Sequence, residues 1–271
     1  MKIIFSNECL EYKFFGHPEA PKRVELIYQI LKANGYEFIE PKPATKEDIL
    51  LVHTNELHNK VKDQNYFDVD TPAIDIRYPL LAVGGAILAS KLNGFSILRP
   101  PGHHAGRNFL GGFCYFNNIA IAVKKLEKRT VILDLDVHHG NGTEDIFLGR
   151  EDILYLSLHQ QNIFPGTGLR SERNCLNYPL PPRTDEQLYL KTLKKALQEK
   201  NKFKPEVLAI SIGFDTYHKE TLANFKLRKE SYRKIANLIR KNLSEDLFLV
   251  LEGGYNEDIG ILCLEFLNNL L

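Results

Sequence analysis

Residues 130–142 read TVILDLDVHHGNG, a short apolar run that passes directly into aspartates and histidines. The predicted strand, Thr130–Leu135, is mostly apolar, which is typical of a strand that is covered on both faces in a parallel sheet. The same reasoning predicts further strands at Lys2–Phe5, Phe95–Leu98, Ile153–Leu158, Val207–Ile212 and Leu247–Leu251. The chain is therefore expected to build a sheet whose strands are mostly buried.

Longer amphipathic segments lie between these runs. We predict helices at about Ala20–Ala33, Tyr78–Leu92, Phe116–Glu127, Glu186–Lys200, Lys229–Leu243 and Asp258–Leu270. Strands that alternate with helices favour an α/β fold with right-handed crossovers. The sequence has no linker rich in proline, glycine or serine and no internal repeat. We therefore expect residues 1–271 to form a single domain.

The composition excludes several classes of protein. The 271 residues include 35 Lys and Arg against 34 Asp and Glu, a formal net charge of +1, and 44% are hydrophobic. This apolar content excludes a long disordered chain, and near neutrality gives no electrostatic reason to expect nucleic acid or a membrane as a direct partner. The longest apolar stretch, Leu80–Ala89, is shorter than the roughly 20 residues that cross a bilayer. Four scattered cysteines without a Cys-x-x-Cys pair favour reduced thiols and a cytoplasmic location.

Chemically active side chains follow four of the predicted strands. They occur in the segments Arg99–His104, Asp134–Gly142, Gly213–Asp215 and Glu252–Tyr255. In open α/β sheets, ligands bind beyond the carboxyl ends of the strands. The four segments are therefore expected to meet in one site.

The aspartates and the histidine at the carboxyl end of the predicted 130–135 strand suggest a metal site. Asp134, Asp136 and His138 alternate, so they share one face wherever the backbone is extended. Burying these groups is costly unless an ion neutralises them. Asp136 and His138, with Asp215 from another strand end, offer three ligands and leave a position for water, as in catalytic metal sites. The alternative is a hydrogen-bonded polar cluster at the sheet edge.

Two further features suggest acid–base chemistry. His103 and His104 follow Pro100-Pro101-Gly102, which breaks the strand and allows both imidazoles to face one cleft. Paired imidazoles near a metal-bound water can act as general base and general acid, and Asp134 can orient one of them. Tyr255 follows two glycines, and its hydroxyl can donate to a developing oxyanion. The alternatives are one structural and one exposed histidine, and a tyrosine that only packs.

Six segments in order carry a family resemblance. They are Arg99–Ala105 (RPPGHHA), Gly111–Asn118 (GGFCYFNN), Asp134–Thr143 (DLDVHHGNGT), Phe164–Gly168 (FPGTG), Gly213–Asp215 (GFD) and Glu252–Tyr255 (EGGY). The chain resembles the zinc-dependent histone deacetylase superfamily, which includes histone deacetylases, acetylpolyamine amidohydrolases and acetoin-utilisation proteins. The resemblance runs from about His17 to Tyr255. It implies a three-layer arginase/deacetylase-like α/β fold with a central, mostly parallel eight-stranded sheet.

The resemblance also implies roles for individual residues. The zinc ligands would be Asp136, His138 and Asp215. The paired histidines would be His103, backed by Asp134, and His104. Asn141 stands where other members carry a second backing aspartate, as in the class II-like branch. Tyr255 matches the tyrosine that polarises the substrate carbonyl.

Further matches concern the substrate and a second ion. The positions that line the family's narrow acyl-lysine tunnel are Gly112, Phe113, Phe164 and Leu222. Asp70 aligns with a rim aspartate that grips substrate backbone. Asp134, Ser157 and Leu158 resemble an internal potassium site. The loop Tyr217–Glu220 departs from the Gly-Asp pair common at this position.

The activity implied is zinc-dependent hydrolysis of an N-acetyl (acyl) amide. Acetyl-lysine or a related linear acetylated amine would be the substrate, and acetate would be released. The alternatives are an acetylpolyamine or other small acylated amine as substrate, a dimanganese ureohydrolase, and an acyl-lysine-binding protein without turnover. The ligand set also suits Fe²⁺ or Co²⁺. A structural role is the interpretation for the remaining candidates, which are His53, His58, His139, His159 and Cys114.

Overall fold

A computed structural model describes residues 1–271, and its centre is one eight-stranded sheet. The strands are β1 (Ile3–Ile4), β2 (Phe38–Ile39), β3 (Phe95–Ser96), β4 (Thr130–Asp134), β5 (Ile153–Gln160), β6 (Cys175–Leu180), β7 (Val207–Ile212) and β8 (Asp246–Leu251). They lie in the order β2-β1-β3-β8-β7-β4-β5-β6. All neighbouring strands are parallel, so the eight-stranded sheet that the resemblance implied is parallel throughout.

Helices cover the sheet. They are α1 (Pro21–Ala33), α2 (Lys46–Ile49), α3 (Asn55–Lys62), α4 (Arg77–Leu92), α5 (Asn118–Leu126), α6 (Asn141–Phe147), α7 (Glu186–Phe203), α8 (Lys229–Arg240) and α9 (Ile259–Leu270), with a short 3₁₀ helix at Asn7–Leu10. Helices α2, α4 and α5 pack together, and α1, α9, α8 and α7 pack in a second group. With the sheet, the two groups form an α/β arrangement of three layers.

The burial of the strands explains their composition. Every residue of β4, β5 and β7 is buried, because helices cover the sheet and neighbouring strands flank each of these three. Such strands have no solvent face and so need no polar alternation. No helix combines the length and the apolar character that a membrane-spanning segment requires.

The six predicted strands and the six predicted helices all occur, with shifted ends. The helix predicted from Phe116 begins at Asn118, because the side chain of Asn117 caps it by accepting the N–H of Ala120. The pattern did not predict β2, β6, α2 or α6. The sequence around His53 and His58 predicts a helical stretch. His58 does lie in α3, but His53 lies in the turn between α2 and α3, so the prediction is wrong for His53.

Candidate active site

The four segments singled out in the sequence meet at one edge of the sheet. They follow β3, β4, β7 and β8, whose carboxyl ends are adjacent because the strands are parallel. A cavity of about 370 Å³ opens there. Its lining includes ten of the predicted site residues, which are Asp70, His103, His104, Gly112, Phe113, Asp136, His138, Phe164, Leu222 and Tyr255.

Asp136, His138 and Asp215 form one cluster, and the first two of them line the cavity. One potential ligand atom from each residue lies within 4.8 Å of the others, and all three residues are buried. Nδ1 of His138 is 3.0 Å from Oδ1 of Asp136 and 3.2 Å from Oδ2 of Asp215. That Asp215 oxygen is buried and makes no hydrogen bond. An orphaned carboxylate oxygen beside two other donors fits a bound divalent cation.

The second carboxylate oxygens hold the cluster in place. Oδ1 of Asp215 accepts the N–H of Val137 at 2.9 Å, and Oδ2 of Asp136 accepts the N–H of Gly253 at 2.7 Å. A Cβ at Gly213 or Gly253 would collide with the carboxylate of Asp136. The glycines of the GFD and EGGY motifs therefore leave room for the carboxylates.

Burial and charge shift the pKa values in this cluster. Burial, followed by the charge of Asp136, raises the pKa of Asp215 to about 7. Burial would lower the pKa of His138, but its hydrogen bond to Asp136 and the negative charges of Asp136 and Asp215 raise it to about 10. Without a metal, the cluster therefore retains protons at neutral pH. A bound cation would replace them.

The paired histidines differ in their partners. Nδ1 of His103 is 3.1 Å from Oδ2 of Asp134, whereas Nδ1 of His104 is 2.8 Å from Oδ1 of Asn141. Both rings are buried, and their centroids are 4.0 Å apart. The pair therefore has one carboxylate partner and one amide partner.

This difference gives the two imidazoles different charges. Burial alone would lower the pKa of His103, but the carboxylates of Asp134 and Asp136 raise it to about 10. Burial and the neighbouring charge of His103 hold the pKa of His104 well below its ordinary value. His103 is thus a cation at neutral pH. His104 is neutral, donates through Nδ1 to Asn141, and keeps Nε2 as a proton acceptor.

Glu252 positions the loop that carries the histidines. Its Oε2 accepts the backbone N–H groups of Gly102 at 2.7 Å and His103 at 3.1 Å, and its Oε1 accepts the hydroxyl of Ser211 at 2.9 Å. The residue is completely buried, and burial raises its pKa to about 7. The glutamate of the EGGY motif thus links the ends of β8, β7 and β3.

Tyr255 lines the cavity beside these groups. Its ring lies edge-on to Phe113, with centroids 5.6 Å apart, and the guanidinium of Arg23 is 4.5 Å from its ring centroid. Burial holds the pKa of the phenol well above its ordinary value, so the hydroxyl keeps its proton and remains a hydrogen-bond donor.

A comparison with known families identifies this architecture. The family described as the histone deacetylase domain matches residues 17–269. The chain belongs to this family. It is accordingly a hydrolase that acts on amide bonds, from a metal-dependent family.

Individual relatives agree with this assignment. A probable deacetylase of Archaeoglobus fulgidus is 36% identical over an alignment of 290 positions, which covers 94% of this chain and 81% of the relative. Acetylpolyamine amidohydrolase 2 of Pseudomonas aeruginosa is 38% identical over 183 residues, covering 62% of this chain and 53% of that protein. The crystal structure of the HDA15 HD domain superposes with a TM-score of 0.92 at 29% identity, covering 99% of this chain and 87% of that chain.

The predicted tunnel residues of the family lie around the cavity mouth. Phe164 and Leu222 are 48% and 39% exposed, so they form the outer wall. Gly112 has a φ of +56°, and a Cβ there would lie 2.6 Å from both His104 and Phe164. The backbone carbonyl of Asp70 accepts from Nε2 of His17 at 3.2 Å. His17, which the sequence analysis gave no role, also lines the cavity.

The residues of the potassium-like site are neighbours in the sheet. Asp134 on β4 pairs in register with Ser157 on β5, and Leu158 follows. The hydroxyl of Ser157 is 2.8 Å from Nδ1 of His159. Oδ2 of Asp134 accepts the hydroxyl of Tyr155 at 2.9 Å in addition to its contact with His103. Potassium at this position stays a prediction.

The histidines set aside in the sequence make structural contacts. His139 is 2.8 Å from the hydroxyl of Thr167, and His159 is 3.0 Å from the carbonyl of Gly168. Together they attach the FPGTG loop, which carries Phe164, to the sheet. Cys114 is buried, and burial holds the pKa of its thiol well above the ordinary value.

Sequence reasoning missed several residues that support the site. Tyr155 binds Asp134, and Arg23 donates to the carbonyls of Glu252 at 2.5 Å and Gly254 at 2.6 Å. Arg23 precedes Gly254 by 231 positions, so no local spacing indicates the contact. Tyr155 lies two residues before Ser157 on the same strand face, which is the one signal that could have suggested it.

Proposed function

We propose that this chain hydrolyses the N-acetyl amide of acetyl-lysine or a related linear acetylated amine and releases acetate. The observation that carries the proposal is the meeting, at one cavity, of three candidate metal ligands, two paired histidines, of which one faces a carboxylate and the other an amide, and Tyr255. These are the groups that amide hydrolysis needs: a site for an activated water, a base and acid, and oxyanion donors.

Asp136, His138 and Asp215 would hold the metal, and zinc is the ion we propose. Two carboxylates and one imidazole also suit Fe²⁺ or Co²⁺. Such an ion supplies a Lewis acid and lowers the pKa of a bound water towards about 7.

The protein's own residues divide the proton transfers. His104 accepts a proton from the attacking water at Nε2, because it is the neutral member of the pair. His103 keeps its proton and stabilises the negative charge that develops on the acyl oxygen as the water adds to the carbonyl carbon. Tyr255 donates its hydroxyl proton in a hydrogen bond to the resulting oxyanion. His104, now an imidazolium, then gives its proton to the departing amine.

The cavity mouth favours a linear amine. Phe113 and Phe164 lie on the wall, and flat aromatic faces accommodate an unbranched alkyl stem better than a branched one. Phe164 and Leu222 are partly exposed at the mouth, which supports access for a peptide. We propose that residues 1–271 act as one catalytic domain in the cytoplasm.

A small acetylated amine such as an acetylpolyamine is the alternative substrate. The likeness to an acetylpolyamine amidohydrolase of Pseudomonas aeruginosa supports it. Acetylpolyamines and acetyl-lysine share the linear alkyl stem, so the tunnel suits both.

Acetate release from a mixed panel tests the proposal. The panel contains acetyl-lysine peptides, acetylated polyamines and small acetylated amines, and it is run with and without chelator. We expect chelator-sensitive release that Tyr255→Phe lowers on the order of 10²- to 10³-fold, the cost of removing one oxyanion donor. The compound from which acetate is released most efficiently identifies the substrate class.

Bound metal is measured in both proteins as the control. Tyr255 is not among the ligand residues, so the variant is expected to retain metal. Near-normal turnover in Tyr255→Phe would remove the tyrosine from the mechanism. Absence of release from folded, metal-loaded wild type, with acetylated peptide still bound, would show binding without turnover.

A further inference from the structure

Glu220 is a buried carboxylate on the loop between β7 and α8, and the proposed reaction does not use it. It belongs to the stretch Tyr217–Glu220, which departs from the Gly-Asp pair expected from the resemblance. The residue is 8% exposed. Its Oε2 accepts the backbone N–H of Tyr255 at 2.8 Å and the side-chain amide of Asn256 at 3.2 Å.

We propose that Glu220 is a positioning residue for Tyr255, an inference that rests on the proposed function. The segment Glu252–Asn256 contains two consecutive glycines, and Gly254 has a φ of +112°. A glycine pair gives a loop many accessible conformations. Contacts from outside the loop must therefore select the one that directs Tyr255 into the cavity.

Two side chains of opposite charge supply those contacts. Arg23 donates to the carbonyls of Glu252 and Gly254 at 2.5 and 2.6 Å, which fixes the chain before the tyrosine. Glu220 accepts the N–H of Tyr255 itself, which fixes the residue at its own backbone. Leaving this partly buried N–H without its acceptor is costly, so the loop would move to satisfy it elsewhere.

The same carboxylate connects Tyr255 to the tunnel wall. Oε1 of Glu220 accepts the backbone N–H of Thr221 at 2.9 Å, and the next residue, Leu222, lines the cavity. One side chain thus sets the position of the oxyanion donor relative to the wall that holds the substrate stem. This linkage parallels that of Glu252, which holds the His103 loop through two backbone N–H groups.

Two variants separate the hydrogen bond from the volume of the side chain. Glu220→Leu removes the acceptor at similar size, and Glu220→Gln keeps one carbonyl oxygen for the N–H of Tyr255. We expect the leucine variant to lower kcat on the order of 10- to 100-fold, as misplacement of a reacting group does, with KM and bound metal little changed. The glutamine variant should recover much of this loss. Glu220→Asp withdraws the carboxylate and serves as the comparison should the leucine variant fail to fold.

Glu245→Gln is the matched control for stability. Glu245 is also a buried carboxylate, with a side chain 2% exposed and paired with Lys200, but it precedes the amino end of β8, opposite the site. This variant should lose stability and keep kcat. A purely structural role for Glu220 predicts the same behaviour for both glutamates.

A double-mutant cycle tests whether Glu220 acts through Tyr255. In a Tyr255→Phe background, Glu220→Leu should cost little further kcat, because the donor it positions is gone. Wild-type kcat in the leucine variant, or an equal loss in both backgrounds, overturns the inference.

Amide hydrogen exchange gives a readout independent of turnover. The backbone N–H of Tyr255 should exchange faster in the leucine and aspartate variants than in wild type, and unchanged protection overturns the inference. Failure of the proposed function would appear separately, as no acetate release from metal-loaded wild type. The exchange data would still decide whether Glu220 holds Tyr255.

Discussion

The adjacent histidines His103 and His104 differ in their preferred charge because their hydrogen-bond partners differ. His103 faces Asp134 and has a pKa raised to about 10, whereas His104 faces Asn141 and has a pKa well below its usual range. The family resemblance implied both partners, since Asn141 stands where other members carry a second aspartate. It could not show the 4.0 Å separation of the rings, through which one charge suppresses the other.

Gly112 provides a test of the tunnel wall at the level of one methyl group. A Cβ there would lie 2.6 Å from His104 and Phe164, so we expect Gly112→Ala to displace both. The expected result is a loss of kcat/KM of about tenfold or more, because the base and the wall move together. Steady-state kinetics on the preferred substrate checks this.

Gly35→Ala is the control for backbone strain alone. Gly35 also has a positive φ, +79°, but nothing lies within 4 Å of its Cβ position. The Gly35→Ala variant should lose about 1 kcal/mol of stability and keep its kcat/KM. Equal kinetic losses in the two variants would show that strain, and not the collision, is responsible.

At the level of elements, apolar runs predicted the buried strands but not the edges of the sheet. β2 has two residues, and β6 contains Asn177 and Pro179; each pairs with a neighbour on one side only. Edge strands form because a partner offers its backbone, and their own composition carries little signal. Helix α6 was missed because it begins at Asn141, inside the motif interpreted for its chemistry.

His53 links the turn between α2 and α3 to the loop at Gly106 and to the start of α5, and its burial predicts a pH dependence of stability. Its Nδ1 donates to the carbonyl of Gly106 at 2.8 Å, and its Nε2 accepts the N–H of Asn117 at 2.8 Å, so the native ring is neutral. Burial lowers its pKa from 6.5 to about 4. The unfolded chain therefore binds a proton at a higher pH than the native chain does. The neutral His53 ring therefore stabilises the native state fully above about pH 6.5. This stabilisation, up to about 3 kcal/mol, is lost as the pH falls towards 4.

Urea unfolding of wild type and His53→Gln at several pH values measures this contribution. Glutamine does not titrate, so other groups cancel in the difference between the two proteins. We expect the stability advantage of wild type to shrink between pH 6.5 and 4. A difference that stays constant over this range would contradict the neutral, buried assignment of His53.

At the level of the whole molecule, the parallel topology made the position of the site predictable. Polar residues after four apolar runs had to meet once the strands were parallel neighbours. The supporting contacts were not predictable in this way. Arg23 and Glu252 are 229 positions apart, and no sequence pattern around either residue indicates the contact between them. Ligand candidates thus follow from local motifs, whereas the residues that position them depend on how distant elements pack.

The proposed metal should stabilise the whole fold, because its ligands join different strands. Asp136 and His138 follow β4 and Asp215 follows β7, and both carboxylates are buried close together. Binding to the native state alone raises stability by about 2.7 kcal/mol at a metal concentration 100 times the Kd. We expect chelation to lower the melting temperature and Zn²⁺ to restore it, less effectively as the pH falls below 7, since protons on the cluster compete.

Two variants make the thermal experiment specific to this site. The Asp215→Asn variant lacks one charged candidate ligand, so Zn²⁺ should raise its melting temperature only weakly. Tyr255 lines the cavity but is not a candidate ligand, so the melting temperature of Tyr255→Phe should respond to Zn²⁺ as that of the wild type does. An undiminished response in Asp215→Asn would place the stabilising metal elsewhere. Because the cluster couples β4 to β7 at the centre of the sheet, loss of the metal should lower the stability of the central strands and not only that of the surrounding loops.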